Sequence, residues 1–339
     1  MNYLSKDITA QILFDHFQYF QKSLLSYFEK YKNIVFLEGV TIPFHLAYLC
    51  PLCLKKYIVQ LGNNLNVNGF FSIDHVPPKS VGGTLELITC KKCNNDAGKF
   101  EAELIKKLKY DAFAKKQFPV VIEDTKFRIS GVKGNYASFI KRIENEVPII
   151  DFPSNKKQKT PLLDNWLNNL NDQDDWSVTL EVPVPNSKKN LKALLKAAYL
   201  ICFFYWGYEF LYSNSGEMIR KVLNDEAIYP MDGPAFWVDK NDLEKGIIIP
   251  IGIGIIENPS ELQSYCVTIP VEKNNNSYIA ILLIPNPTEH GWQQLKKIHS
   301  WLTDNPQKQV TFRPLNISLP NIIDGYMQEW NSFINSTQN

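Results

Sequence analysis

Long apolar runs are missing from this chain of 339 residues. The richest stretch, AAYLICFFYWG at 197–207, falls well short of the ~18 consecutive apolar residues of a membrane span. We read it as a buried helix and expect no membrane partner. Net charge is nearly absent as well: 36 basic residues face 35 acidic ones, which excludes a uniformly basic coat for nucleic acid, so any basic patch is local. The opening residues MNYLSKDITAQ lack a basic segment followed by an apolar stretch and a small-residue cleavage site. Secretion is therefore not expected, and a cytoplasmic location is. There is no internal repeat, and NNNS at 274–277 reads as a turn, not a low-complexity tract. Cysteines number only six, and in a reducing compartment they are not expected to form disulfides.

What is present is the composition of a folded protein, 45% hydrophobic and 21% charged, at a length that suggests roughly two domains. Helical spacing of Ile8, Ile12, Phe17, Leu24 and Phe28 predicts a helical segment within 1–49. A segment of different character, 50–118, follows. In it, strands at 70–75 and 84–89 around the loop VPPKSVGG predict a hairpin, and apolar residues at 97, 100, 104 and 108 predict an amphipathic helix over 94–116, capped by Asn94, Asn95 or Asp96. The remaining 119–339 carries strands at 119–122, 126–132, 146–152, 176–184, 247–256, 265–272, 278–285 and 309–317. Helices are expected there at 191–211, 217–223 and 290–302, and a lysine-bearing loop at 155–160. The expected class is α+β, with a larger mixed α/β region at the C-terminal end.

Four of the cysteines fall into two pairs, Cys50-Pro-Leu-Cys53 and Cys90-Lys-Lys-Cys93. Each C-x2-C pair can fold as a knuckle supplying two thiolates to a tetrahedral zinc ion, which would staple the 36 residues between them into a closed loop. Such a staple contributes directly to the folding of a segment with little core. Inside the loop stands Asp74-His75, and directly after the last cysteine stands Asn94-Asn95. Asp74 and Asn94 offer hard oxygen ligands, which suit magnesium or manganese, and histidine is the side chain type that exchanges protons near neutral pH.

The string FFSIDHVPPKSVGGTLELITCKKCNNDAG at 70–98, preceded by CPLC, resembles the HNH or ββα-metal endonucleases in the branch with a four-cysteine zinc site. Its motif order is especially like that of the phage junction-resolving members. The resemblance covers about residues 50–105. It implies a structural zinc on Cys50, Cys53, Cys90 and Cys93, a catalytic magnesium or manganese on Asp74 and Asn94, and His75 as the base that activates water. The implied activity is phosphodiester hydrolysis in nucleic acid, DNA in the first place, leaving 5′ phosphates. Two departures stand out. The middle asparagine of the family is replaced by Leu85-Glu86-Leu87, with Asn95 or backbone contacts left to support His75, and asparagine stands where the final histidine of the name would be. One such site makes one cut, so breaking a duplex calls for a homodimer or two visits. Modules of this kind on uncharacterised C-terminal regions resemble bacterial effectors of antiphage defence, in which another region senses an activating partner or ligand. The competing reading is a non-cleaving zinc module that binds nucleic acid or protein.

From 50 to 118 eleven lysines face six acids, a local basic excess suited to phosphate contacts without base readout, with Lys79, Lys91, Lys92 and Lys99 nearest the motif. His45 is read as structural, since four thiols already satisfy zinc, and so are His290 and His299, nine residues apart. Cys202 and Cys266 are read as small core hydrophobes. The aromatic cluster at 199–208 is read as core, and Gly252 and Gly254 lack a phosphate-loop context.

Overall fold

The computed structural model describes residues 47–58, 71–115, 122–129, 136–144, 147–151, 168–169, 177–240, 252–258, 264–273, 276–288, 290–304 and 311–314. The expected N-terminal helices, His45 and the lysine-bearing loop at 155–160 lie outside the described residues. Helices and strands mix as expected for an α+β chain.

Two short antiparallel strands, β1 (Ala47–Leu49) and β2 (Lys56–Ile58), flank the first cysteine turn. Leu54 closes it at φ 55, with its N–H on the Cys50 carbonyl at 2.8 Å. Next comes the expected hairpin, β3 (Phe71–Val76) against β4 (Leu85–Cys90), in a register that sets Asp74 opposite Leu87 and His75 opposite Glu86. Its loop carries a 3-10 turn at Lys79–Val81, which Gly82 ends in the left-handed region at φ 88. At Gly83 any Cβ would overlap the Pro77 carbonyl oxygen, so the two glycines answer to two different demands.

Helix α1 spans Lys91–Ala114 and buries Ala97, Leu104, Leu108 and Ala112 on one stripe. It starts three residues before the expected start because Cys90, not an asparagine or Asp96, is the cap: its Sγ accepts from the Cys93 N–H at 3.4 Å. A four-stranded antiparallel sheet follows, in the order β7 (Val147–Asp151), β6 (Tyr136–Glu144), β5 (Ile122–Ile129), β8 (Val178–Glu181). Sequence reading missed β6, along with β2 and β9 (Phe236–Asp239).

The long helix α2 runs Ser187–Tyr212, with the Asn186 side chain accepting from the Lys189 N–H at 3.0 Å. It is buried nearly all round, and this accounts for its apolarity: by length and composition it is the one helix among the described residues that matches a membrane span, with 83% of that window inside the protein. Gly207, at φ 57, breaks it into two helical stretches. Beyond it, α3 (Asn214–Leu223) is capped by Ser213. The five-stranded antiparallel sheet has the order β13 (Thr311–Pro314), β10 (Gly252–Asn258), β11 (Tyr265–Lys273), β12 (Asn276–Ile284), β9, and α4 (Gly291–Asp304) precedes its last strand.

One buried cluster joins hairpin residues Phe71, Val76, Leu87 and Ile88, helix residues Leu104 and Leu108, the length of α2 and the inner faces of β10–β12. The aromatic residues read as core are core: Tyr199, Phe203, Trp206 and Tyr208 are buried, and Phe204 and Tyr205 half-buried. Cys202 and Cys266 are likewise buried, and burial pushes both thiols up.

Candidate metal centre and the hairpin–helix corner

The first turn, the end of β4 and the start of α1 converge on one point. There the sulfurs of Cys50, Cys53, Cys90 and Cys93 all lie within 4.8 Å of one another, with Cys53 Sγ 3.9 Å from Cys90 Sγ. Thiolates ~2.3 Å from a tetrahedral zinc stand roughly 3.8 Å apart, so the cluster can hold a metal such as zinc, and 3.9 Å excludes a disulfide between that pair. Backbone N–H groups support the sulfurs: Cys90 N–H donates to Cys50 Sγ at 3.4 Å. The thiols also shape one another's acidity. The Cys50 side chain, hydrogen-bonded to Cys53, draws the Cys53 thiol far down, while the same crowding drives Cys50 and Cys93 up. Ionising all four sulfurs at this spacing would take a divalent cation between them.

Next to the cluster the corner gathers Asp74 and Asn94. Side chains alternate along β3, so Ser72 and Asp74 share the face turned to the helix and His75 takes the other. Asn94, in the first turn of α1, donates its Nδ2 to Ser72 Oγ at 3.0 Å and to the Ile73 carbonyl at 3.3 Å. That leaves its Oδ1 as the atom available to a ligand. Asp74 is 3% exposed and accepts from the Thr89 hydroxyl at 3.3 Å. His75, half-buried, sets Nε2 3.2 Å from Glu86 Oε1 across the hairpin. Asn95 is exposed, as are Lys79, Lys91, Lys92 and Lys99. Lys92 pairs along the helix with Asp96 at 2.6 Å, which neutralises part of the local basic excess.

Sequence reading missed Lys196. From the third turn of α2 its ammonium reaches both oxygens of Asp74, at 2.8 and 2.7 Å, and Glu101 Oε1 on α1 at 2.6 Å. Burial works against the charge on Lys196, but Asp74 and Glu101 outweigh it and hold its pKa above the ordinary lysine value. Burial pushes the Glu101 carboxyl up, against the pull of Lys196. A signal was there: a single lysine inside ALLKAAYLICFF needs a buried partner, because a lone ammonium is too costly to bury. The triad also decides the fit of the hard cation that the resemblance implies. Asp74 and Asn94 are ligands of the right type, but with the ammonium on both carboxylate oxygens the corner as it stands does not seat magnesium or manganese.

Helix α2 also holds the cysteine turn. Tyr199 donates its hydroxyl to the Pro51 carbonyl at 2.7 Å and receives Arg220 Nη1 at 3.0 Å, while the Tyr208 hydroxyl donates to the Leu49 carbonyl at 2.9 Å. Between α1 and α2 lies a cleft of about 460 Å3 lined by Tyr110, Trp237 and Lys107 among others. In its wall the Oδ1 of Asn190 is sealed from solvent and unpartnered. Comparison with known proteins finds no matching family model, no matching curated protein and no matching solved structure.

Proposed function

We propose that the protein is a zinc-stapled endonuclease of the HNH type that hydrolyses phosphodiester bonds in DNA. The observation supporting this is the placement of Asp74 on the same face of β3 as Ser72, which Asn94 grips beside the four-sulfur cluster, with His75 the next residue in the strand.

In this reading Glu86 takes the place of the family's middle asparagine. Accepting from the His75 Nε2–H, it fixes the ring and leaves Nδ1 to take a proton from water; the same carboxylate then steadies the imidazolium. The water oxygen bonds to phosphorus as the bond to the 3′ oxygen breaks. The departing oxygen takes a proton from solvent, and a 5′ phosphate remains. Asp74 and Asn94 would hold magnesium or manganese once Lys196 withdraws. Lys79 in the hairpin loop and Lys91, Lys92 and Lys99 in the first turns of α1, all exposed, supply phosphate contacts that weaken with salt.

Plasmid DNA incubated at low salt with magnesium, manganese or EDTA tests the proposal. Cleavage by wild type that is lost in His75→Ala, with zinc content unchanged, is the expected result. Cleavage undiminished in His75→Ala would remove the histidine from the mechanism. One observation favours the second reading, a zinc module that binds nucleic acid or protein without cutting: the pairing of Asp74 with Lys196. Binding at low salt with no cleavage by wild type or by a Lys196 variant would select it.

A further inference from the structure

We propose that Lys196 is a built-in counter-ion that bars divalent cations from the Asp74 carboxylate, so that the corner is armed only when Lys196 is displaced. The purpose of such a device rests on the endonuclease reading, whereas its chemistry stands on the geometry of three side chains.

Lys196 and Asp74 are each 3% exposed and Glu101 is 15% exposed, so water contributes little to balancing their charges. One ammonium serves two carboxylates, which leaves a net charge of −1 in a nearly dry space. Without the lysine the two carboxylates lose the cation they share, and a divalent ion can supply that charge in its place, with Asn94 at the same end of the hairpin. The two occupants exclude each other. A magnesium or manganese ion must approach an oxygen to about 2.1 Å, and both Asp74 oxygens are already taken by the ammonium nitrogen at 2.8 and 2.7 Å.

A purely structural role explains less. Buried ion pairs seldom stabilise a fold more than apolar packing of the same volume does, and neighbours of Lys196 on α2 from Ala193 to Phe203 are buried apolar residues. The helix departs from that pattern at the one position facing Asp74. One turn further on, Tyr199 grips Pro51 beside Cys50, so a shift of α2 that withdrew the ammonium would also be felt at the cysteine turn.

The test is Mn2+ binding to the zinc-loaded full chain, read from the electron paramagnetic signal of free Mn2+. Wild type is expected to take up none tightly. Lys196→Met is expected to bind one Mn2+ per chain on the order of 100-fold more tightly. The double variant Lys196→Met/Asp74→Asn is expected to lose that gain. Should Lys196→Met leave its two carboxylates too exposed to one another to fold, the readout becomes recovery of its cooperative melt by Mn2+, which binds only the folded form. Equal Mn2+ affinity in wild type and Lys196→Met overturns the proposal, as does a Lys196→Met protein that neither binds Mn2+ nor recovers in it. Mn2+ gained by Lys196→Met without DNA cleavage supports the counter-ion and counts against the endonuclease reading, so the two fail separately.

Discussion

Between Cys50 and Ala114 the chain spends its buried positions on sulfur, a carboxylate and a thin stripe of aliphatic residues, whereas from Ala193 to Ile284 it buries a dense set of aromatic and branched side chains. Both belong to one continuous core, yet different forces hold them. The first region is short of apolar area and depends on the four cysteines and on what α2 lends it: the Tyr199 and Tyr208 hydroxyls and the Lys196 ammonium. The second closes on itself, with Trp206 edge-on to Tyr265 at 4.9 Å and tilted against Phe210. The candidate corner therefore sits where apolar packing is thin, and helix α2 supplies the contacts that hold it.

Removal of metal should separate the two regions most sharply. Binding of structural zinc is worth on the order of 10 kcal/mol in small zinc domains. A strong chelator, or Cys90→Ser, should therefore abolish amide protection across 71–114 while β11 and β12 stay protected, as hydrogen exchange would show. Equal loss in both regions would make them a single cooperative unit. Trp206→Ala strikes the opposite side: it should cost about 3–5 kcal/mol by denaturant melting and leave the zinc content of the folded protein unchanged. Tyr199→Phe addresses the contact between them. Removing a buried hydroxyl that donates to Pro51 and receives Arg220 should cost about 1–2 kcal/mol, with a larger loss of protection at the cysteine turn than in the sheet.

The smallest effect concerns pH. Lys196 holds its proton more tightly when folded than the ordinary value of 10.5, so its contribution to stability is whole below that value and is lost as pH climbs through the higher folded one. Urea midpoints should fall more steeply above pH 10.5 in wild type than in Lys196→Met. Parallel curves would show that the lysine does not hold its proton as the triad demands.

The parts of the molecule set by local spacing were legible in the sequence. Paired cysteines, the alternation of 71–76 and 85–90 around two glycines, and the apolar stripe of α1 each depend on neighbours a few residues away. The start of α1 was misplaced because a cysteine sulfur does the capping that asparagine and aspartate usually do. Strand β6 was missed because YASFIKRIE mixes apolar and charged residues without clean alternation, and β9 because FWVD is only four residues long. The Asp74–Lys196 contact was beyond reach for another reason: it spans 122 positions, and no local pattern says which buried carboxylate a buried lysine will meet.

That separation also has a meaning in time. A ribosome adding about 5–20 residues per second delivers Lys196 roughly 6–24 s after Asp74. The cysteine loop and hairpin are synthesised well before then, so in every newly made chain the Asp74 carboxylate precedes its lysine partner by that interval.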